Sequence, residues 1–302
     1  MTTQFSDLIE QGAELRLLAE GIADWVEGPL WLHDRQACIF SDIHGNQILA
    51  WSELTGGLEV FAENVEFTNG RTMDLAGDVI ECSHGTRSVQ RRRLADGQVD
   101  IIVDSFAGGR LNSPNDVVVK SDGTIWFTDP SYGIDLPEEG HPGEREYGDR
   151  WVFRFDEASG TIWPVVTDVI APNGLAFSPD ESVLYVCDSS NSGGEEGPGR
   201  HIRAYDVVDG RLAKWGRMLI EIDNEVPDGM RVDREGRIWS SAGDGVRIFE
   251  ADGTEIGRIL TPVRVANLCW GGPDGQTLYM CATDKLFTIR TTTTDATWSR
   301  RF

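Results

Sequence analysis

The sequence predicts an all-β chain folded as a six-bladed β-propeller with four-stranded antiparallel blades. Two observations carry that reading: strand-like runs dominate while helical periodicity never persists, and six of those runs are copies of one hairpin. The copies begin at Glu27 (EGPLWLHDRQACIFSD), Asn69 (NGRTMDLAGDVIECSH), Asn115 (NDVVVKSDGTIWFTDP), Asn173 (NGLAFSPDESVLYVCD), Asp228 (DGMRVDREGRIWSSAG) and Asn267 (NLCWGGPDGQTLYMCA), and they align without a gap. Each has a polar first residue, a short strand, a turn seven or eight positions on, and a second strand. The turns fall at His33-Asp34, Ala76-Gly77, Asp122-Gly123, Asp180-Glu181, Glu235-Gly236 and Asp274-Gly275.

Successive copies are separated by 42, 46, 58, 55 and 39 residues, a period that accommodates four strands and so one propeller blade. A further strand precedes every copy: LEVFAEN, VDIIVDS, TIWPVVTD, RMLIEID and EIGRILT before the second to sixth, and ELRLLAE at 14–20 before the first. That first segment is left over for the last blade. It is expected to close the ring by pairing with residues near 285–290, leaving no open sheet edge. The whole chain, 1–302, is thus read as one domain. The WD signature is absent. The extra length of the third and fourth repeats lies in 135–150 and 189–200, polar segments read either as solvated loops or as a lid over one end of the ring.

Composition narrows the function. With 27 Lys and Arg against 50 Asp and Glu, the net charge is −23. A chain this acidic is repelled by nucleic acid and anionic lipid, so small or cationic ligands are expected, and neither a nucleic acid nor a membrane is an expected partner. No apolar run approaches a membrane span, and the opening residues do not read as a signal peptide, so a cytoplasmic location is expected. The five cysteines lie far apart with no CxxC, so they read as buried thiols rather than disulfides or a zinc site. Oligomeric state has no signature in the sequence.

The six leading residues converge on one mouth of the channel if each opens the innermost strand of its blade, and all six offer oxygen. His84, Asp129 and Asp188 return to the same end on the second strands. Carboxylate and amide oxygens suit a hard cation, calcium before magnesium. Asn-Gly and Asp-Gly are also turn dipeptides, and Asn69 and Asn267 are open to that plainer reading. Glu27 is not, since glutamate has no special turn chemistry.

The segments EGPLW, RLNSPNDVVVKSDGTIWFTDPSYG, PNGLAFSPD and PDGM resemble the hallmark segments of the gluconolactonase and senescence-marker-protein (regucalcin-like) six-bladed propellers, from about residue 14 to the final blade. The resemblance implies that Glu27, Asn173 and Asp228 bind one divalent cation, usually calcium, with zinc and others able to substitute. It implies also that Asn115 lies beside metal and substrate, and that Asp228 is the candidate general base. FTNGRTMDLAGDVIECSHG resembles a subgroup segment, with Ser83 where Glu is common before His-Gly. Ser131 stands where Pro is common before Tyr-Gly. These departures bear on substrate detail rather than on metal binding.

The implied activity is metal-dependent hydrolysis of a sugar-acid lactone, a small-molecule substrate. A cation at the mouth can polarise the carbonyl, and Asp228 can take the proton of the attacking water. No GxSxG elbow supports a serine esterase. His84, Asn112, Arg110 and Tyr132 are candidate contacts for substrate hydroxyls, against plainer roles as packed strand-end residues or, for Arg110, as an ion-pair partner. A phosphotriester or other lactone as substrate, and a non-catalytic binding platform, remain alternatives at this stage.

Overall fold

The structure, a computed structural model, describes residues 3–192, 197–223 and 225–300. Its strands form six four-stranded antiparallel sheets arranged as a propeller. Blade 1 runs outward through Val26–Leu32, Ala37–Asp42, Gln47–Ser52 and Gly57–Glu63, and each later blade repeats the pattern. In blade 6 the order is Asn267–Gly271, Thr277–Ala282, Lys285–Arg290 and then Arg16–Glu20. The N-terminal strand pairs Arg16 with Thr288 and Glu20 with Lys285, so the ring is closed as the repeat arithmetic requires.

Sheet faces stack blade on blade, and each of the six junctions has its own buried apolar cluster. Trp239 and Trp270 meet edge to face at 5.0 Å between blades 5 and 6, and Trp31 stacks on Tyr279 at 5.6 Å where blade 6 meets blade 1. Such aromatic pairs add stabilisation beyond their buried area. All five cysteines are buried and unpaired, as strand thiols should be. Among the described residues, no helix is long and apolar enough to cross a membrane.

Candidate active site at the channel mouth

The leading residues of the six copies sit where the innermost strands start. Glu27, Asn69, Asn173 and Asn267 lie at or one residue inside the start of their strands. Asn115 and Asp228 precede Val117–Val119 and Met230–Val232 by two residues. The glycines that follow four of them are not turn glycines. A Cβ on Gly174 would stand 2.2 Å from the Asp228 carbonyl, and one on Gly70 would stand 2.5 Å from that of Asn115. The same glycines donate their N–H groups to those carbonyls, at 3.0 and 2.8 Å. Glycine recurs here because adjacent blades touch backbone to backbone at the mouth, and this close approach replaces the turn reading of Asn69.

That contact lines the side chains up in a hydrogen-bonded arc. Asn69 Nδ2 donates to Asn115 Oδ1 at 2.6 Å, and Asn115 Nδ2 donates to Asn173 Oδ1 at 2.7 Å. Asn173 in turn hydrogen-bonds Asp228. On the far side Asn267 Nδ2 donates to Glu27 Oε2 at 3.0 Å, and the Gly28 N–H reaches the same oxygen at 2.7 Å. Both bonds fall on Oε2, which leaves Oε1 available to a ligand.

Five of the six residues, Glu27, Asn69, Asn115, Asn173 and Asp228, line a cavity of about 280 Å³ together with Tyr132 and Arg264. Glu27 and Asp228 are 3 % and 7 % exposed. Burial, and then the neighbouring Asp228 charge, hold the Glu27 carboxyl well above the usual carboxylate range. Burial pushes Asp228 up to about 6; Arg264 pulls it down and Asp116 pushes it up. Arg264 Nη2 lies 3.3 Å from Asp228 Oδ2, while its guanidinium stacks over Trp25 at 5.4 Å.

Among the described residues no three His, Cys, Asp or Glu side chains group as a metal cage. The donor set is instead two carboxylates plus amide oxygen. Two buried carboxylates, each with its proton affinity raised by burial and Glu27 raised further by Asp228, with one guanidinium for compensation, match the need of a hard divalent cation for charged oxygen donors. On this ground the residues fit such an ion.

The other predicted site residues divide. Tyr132 lines the cavity, its buried hydroxyl beside Ser189, and burial raises its pKa. His84 is fully buried behind the wall. Its Nδ1 faces the Glu139 carbonyl at 3.1 Å and its Nε2 faces Asn115 Oδ1 at 3.1 Å. Burial lowers its pKa to about 4, so at neutral pH it carries one proton; both facing oxygens can only accept, and a proton on Nδ1 bonds the Glu139 carbonyl while Nε2 is left to accept from Asn69 Nδ2 at 3.5 Å.

Asn112 and Arg110 are not brought to the cavity wall. Asn112 is buried against Asp129, Tyr147 and the Asp149 carbonyl, packing the loop that carries Asn115. Arg110, in a short extra hairpin, is exposed and pairs with Glu146 at 2.7 Å, as the plainer reading of it expected.

The structure also adds residues that the repeat pattern did not reveal. Trp25 and Arg264 come from connections between blades, and His44 from the loop between Ala37–Asp42 and Gln47–Ser52 of blade 1. Leu136, Glu138 and Glu139 come from the 135–150 insertion, and Ser189 and Ser192 from the 189–200 segment. Both inserted segments thus contribute residues to the cavity wall, and residues 193–196 lie outside the described residues. Net acidity and loop length were the available signals, and neither singles out a residue.

Residues 25–284 match the model of the SMP-30/Gluconolactonase/LRE-like region. A gluconolactonase of Zymomonas mobilis is 30% identical, covering 96% of this chain and 86% of its own. A solved gluconolactonase of Xanthomonas campestris is 35% identical with a TM-score of 0.87, covering 96% of this chain and 93% of that one. A structural-genomics protein superposes with a TM-score of 0.90 at 42% identity over 96% of both chains.

Proposed function

Because the chain belongs to the SMP-30/gluconolactonase/LRE-like family and is thereby a lactone-hydrolysing enzyme, we propose that it opens a sugar-acid lactone with the help of one divalent cation, calcium in the first place. The observation that carries the cation is the pair of buried carboxylates, Glu27 and Asp228, sharing one cavity with Asn173. These three residues would hold it. When bound, such an ion supplies positive charge that polarises the lactone carbonyl and stabilises the oxyanion.

The remaining work falls to the chain itself. Asn115, clamped between Asn69 and Asn173, is presented to the substrate with its amide fixed by two hydrogen bonds, and His84 backs it. Tyr132 offers its hydroxyl from the same wall. Water attacks the carbonyl carbon while Asp228 takes its proton. The C–O bond to the ring oxygen then breaks, and the proton returns from Asp228 to that oxygen, leaving a hydroxy acid. A carboxyl pushed up to about 6 by burial is better matched to that exchange near neutrality than an ordinary aspartate, and a bound cation would lower it. Asn112 acts at a distance, by packing the loop that carries Asn115, and Arg110 pairs with Glu146 at the surface.

The test is a panel of five- and six-membered sugar lactones assayed by pH-stat on EDTA-treated protein before and after calcium is restored. Turnover that disappears with EDTA and returns with calcium is expected. Turnover that survives complete metal removal would overturn the cation's role, and no turnover of any lactone would overturn the substrate class.

A further inference from the structure

One wall of the cavity is not built by the repeats. Leu136, Glu138 and Glu139 follow the short helix Tyr132–Asp135 and reach the cavity from the 135–150 insertion. This wall is held at several points. Gly140 packs so closely on Gly133 that a Cβ would lie 2.2 Å from its carbonyl oxygen. The Gly143 N–H bonds the Ile134 carbonyl at 3.2 Å. Arg87 Nη2 donates to the Glu144 carbonyl at 3.1 Å, and the Tyr147 hydroxyl donates to buried Asp129. Asp129 also accepts the Asn112 and Ser113 N–H groups, each at 2.8 Å, so the insertion and the Asn115 loop share one anchor. Glu139 itself is fastened through its carbonyl to His84.

The Glu139 carboxyl is therefore a pre-positioned group, with a side chain 19% exposed at the edge of the cavity. Among the described residues four carboxylates line that space, Glu27, Glu138, Glu139 and Asp228, and Arg264 is the one Lys or Arg that lines it. Arg264 already faces Asp228 and, at 3.9 Å, Glu225. A divalent cation held by Glu27 and Asp228 would offset those two charges, but not those of Glu138 and Glu139. A hydroxyl-rich neutral ring finds acceptors on this wall, whereas an anionic one meets uncompensated like charge.

We propose that Glu139, with Glu138 beside it, is the specificity-determining wall of this enzyme: it accepts hydrogen bonds from hydroxyls of an uncharged lactone and rejects lactones carrying a phosphate or a carboxylate. The proposal rests on the lactonase reading for its substrate, yet binding alone can test it.

The probes are 1,5-anhydro-D-glucitol, a ring that cannot be hydrolysed, and its 6-phosphate, titrated by calorimetry at about pH 8 into the calcium-loaded protein. Wild type should favour the neutral ring by at least about tenfold. Glu139→Ala should weaken the neutral ring about tenfold, the loss expected for a hydrogen bond to a charged acceptor. The double variant E138Q/E139Q should narrow the neutral-over-phosphate preference by a similar factor. Melting temperatures within a few degrees of wild type identify folded variants.

Unchanged affinity in Glu139→Ala together with unchanged preference in the double variant overturns the proposal. Parallel pH-stat assays with glucono-1,5-lactone and its 6-phosphate keep the two readings apart. If the binding shifts occur while wild type hydrolyses neither lactone, the wall stands and the lactonase reading falls. If hydrolysis occurs while both variants bind and discriminate like wild type, the reverse holds.

Discussion

Asp228 and Asp233 flank the same three-residue strand, Met230–Val232, at its two ends, and both are buried. Asp233 accepts four donors: the Glu235 N–H at 3.1 Å, the Arg237 N–H at 2.9 Å, Arg237 Nε at 2.7 Å and Trp239 Nε1 at 3.0 Å. Burial still raises its pKa, and Arg237 is the leading influence in the other direction. Asp228 faces one guanidinium, Arg264 at 3.3 Å, and the Asn173 amide, and shares its cavity with Glu27. The contrast separates a carboxylate that ties a turn together from one left short of donors at the edge of a cavity. A buried acid short of partners costs stability unless something else supplies positive charge.

The largest expected effect breaks the structural member of the pair. Asp233→Ala leaves the Trp239 N–H without its acceptor and the Arg237 guanidinium with Glu235, at 2.7 Å, in place of two carboxylates, and should cost about 3–5 kcal/mol in denaturant unfolding, the usual loss when one partner of a buried ion pair is removed. Lactone turnover per folded molecule should be unaltered. A loss below 1 kcal/mol would mean that the turn does not depend on it.

Asp228→Asn is expected to invert that result. It keeps an oxygen but cannot take a proton, so turnover at confirmed cation occupancy should fall by about 10²-fold or more, while the fold persists. Near wild-type turnover would confine Asp228 to holding the cation.

In EDTA the same variant should also reveal the cost of the unpaired charge. The folded-state pKa of Asp228 is raised from 3.8 to about 6, so its protonation stabilises the fold fully below about pH 4, and that contribution fades as pH rises through about 6. Asn carries no such charge. The stability of Asp228→Asn relative to wild type should therefore rise by about 1–3 kcal/mol between pH 5 and pH 7.5. A gap that does not change with pH would contradict the electrostatic account.

The smallest contrast concerns the glycines at the two ends. Gly77, at a hairpin turn, has φ of +90° and nothing within 4 Å of a Cβ, so Gly77→Ala should cost about 1 kcal/mol from backbone strain. Gly174 meets the Asp228 carbonyl, so Gly174→Ala should cost more, about 1–3 kcal/mol of overpacking, and should also weaken calcium binding by displacing Asn173. Equal losses, with calcium affinity unchanged, would show that the blades can separate at the mouth without consequence.

How much of this was legible in the sequence follows from what repeats. The register of all six inner strands, the closing strand, expected within 14–20 and found at Arg16–Glu20, and the convergence of Glu27, Asn115, Asn173 and Asp228 were visible because the same pattern recurs once per blade. The reason for the recurring glycine was not visible, since contact between neighbouring blades is a long-range fact that composition cannot distinguish from a turn. Trp25, Arg264 and Glu139 escaped for a related reason. They sit in connections that differ from blade to blade, so no period marks them. Arg110 and Asn112 show the converse: both were candidate contacts for substrate hydroxyls, and hydrogen bonding to Glu146 and Asp129 holds them elsewhere.

The central claim is that the carboxylates short of partners at the mouth exist to hold a cation. The most direct measurement is calorimetric titration of calcium into metal-stripped wild type and Glu27→Gln, a substitution that keeps the shape and removes one charge. Saturable binding at one ion per chain, at least about tenfold weaker in the variant, is the predicted result. No binding by wild type, or the same affinity in both proteins, would contradict it.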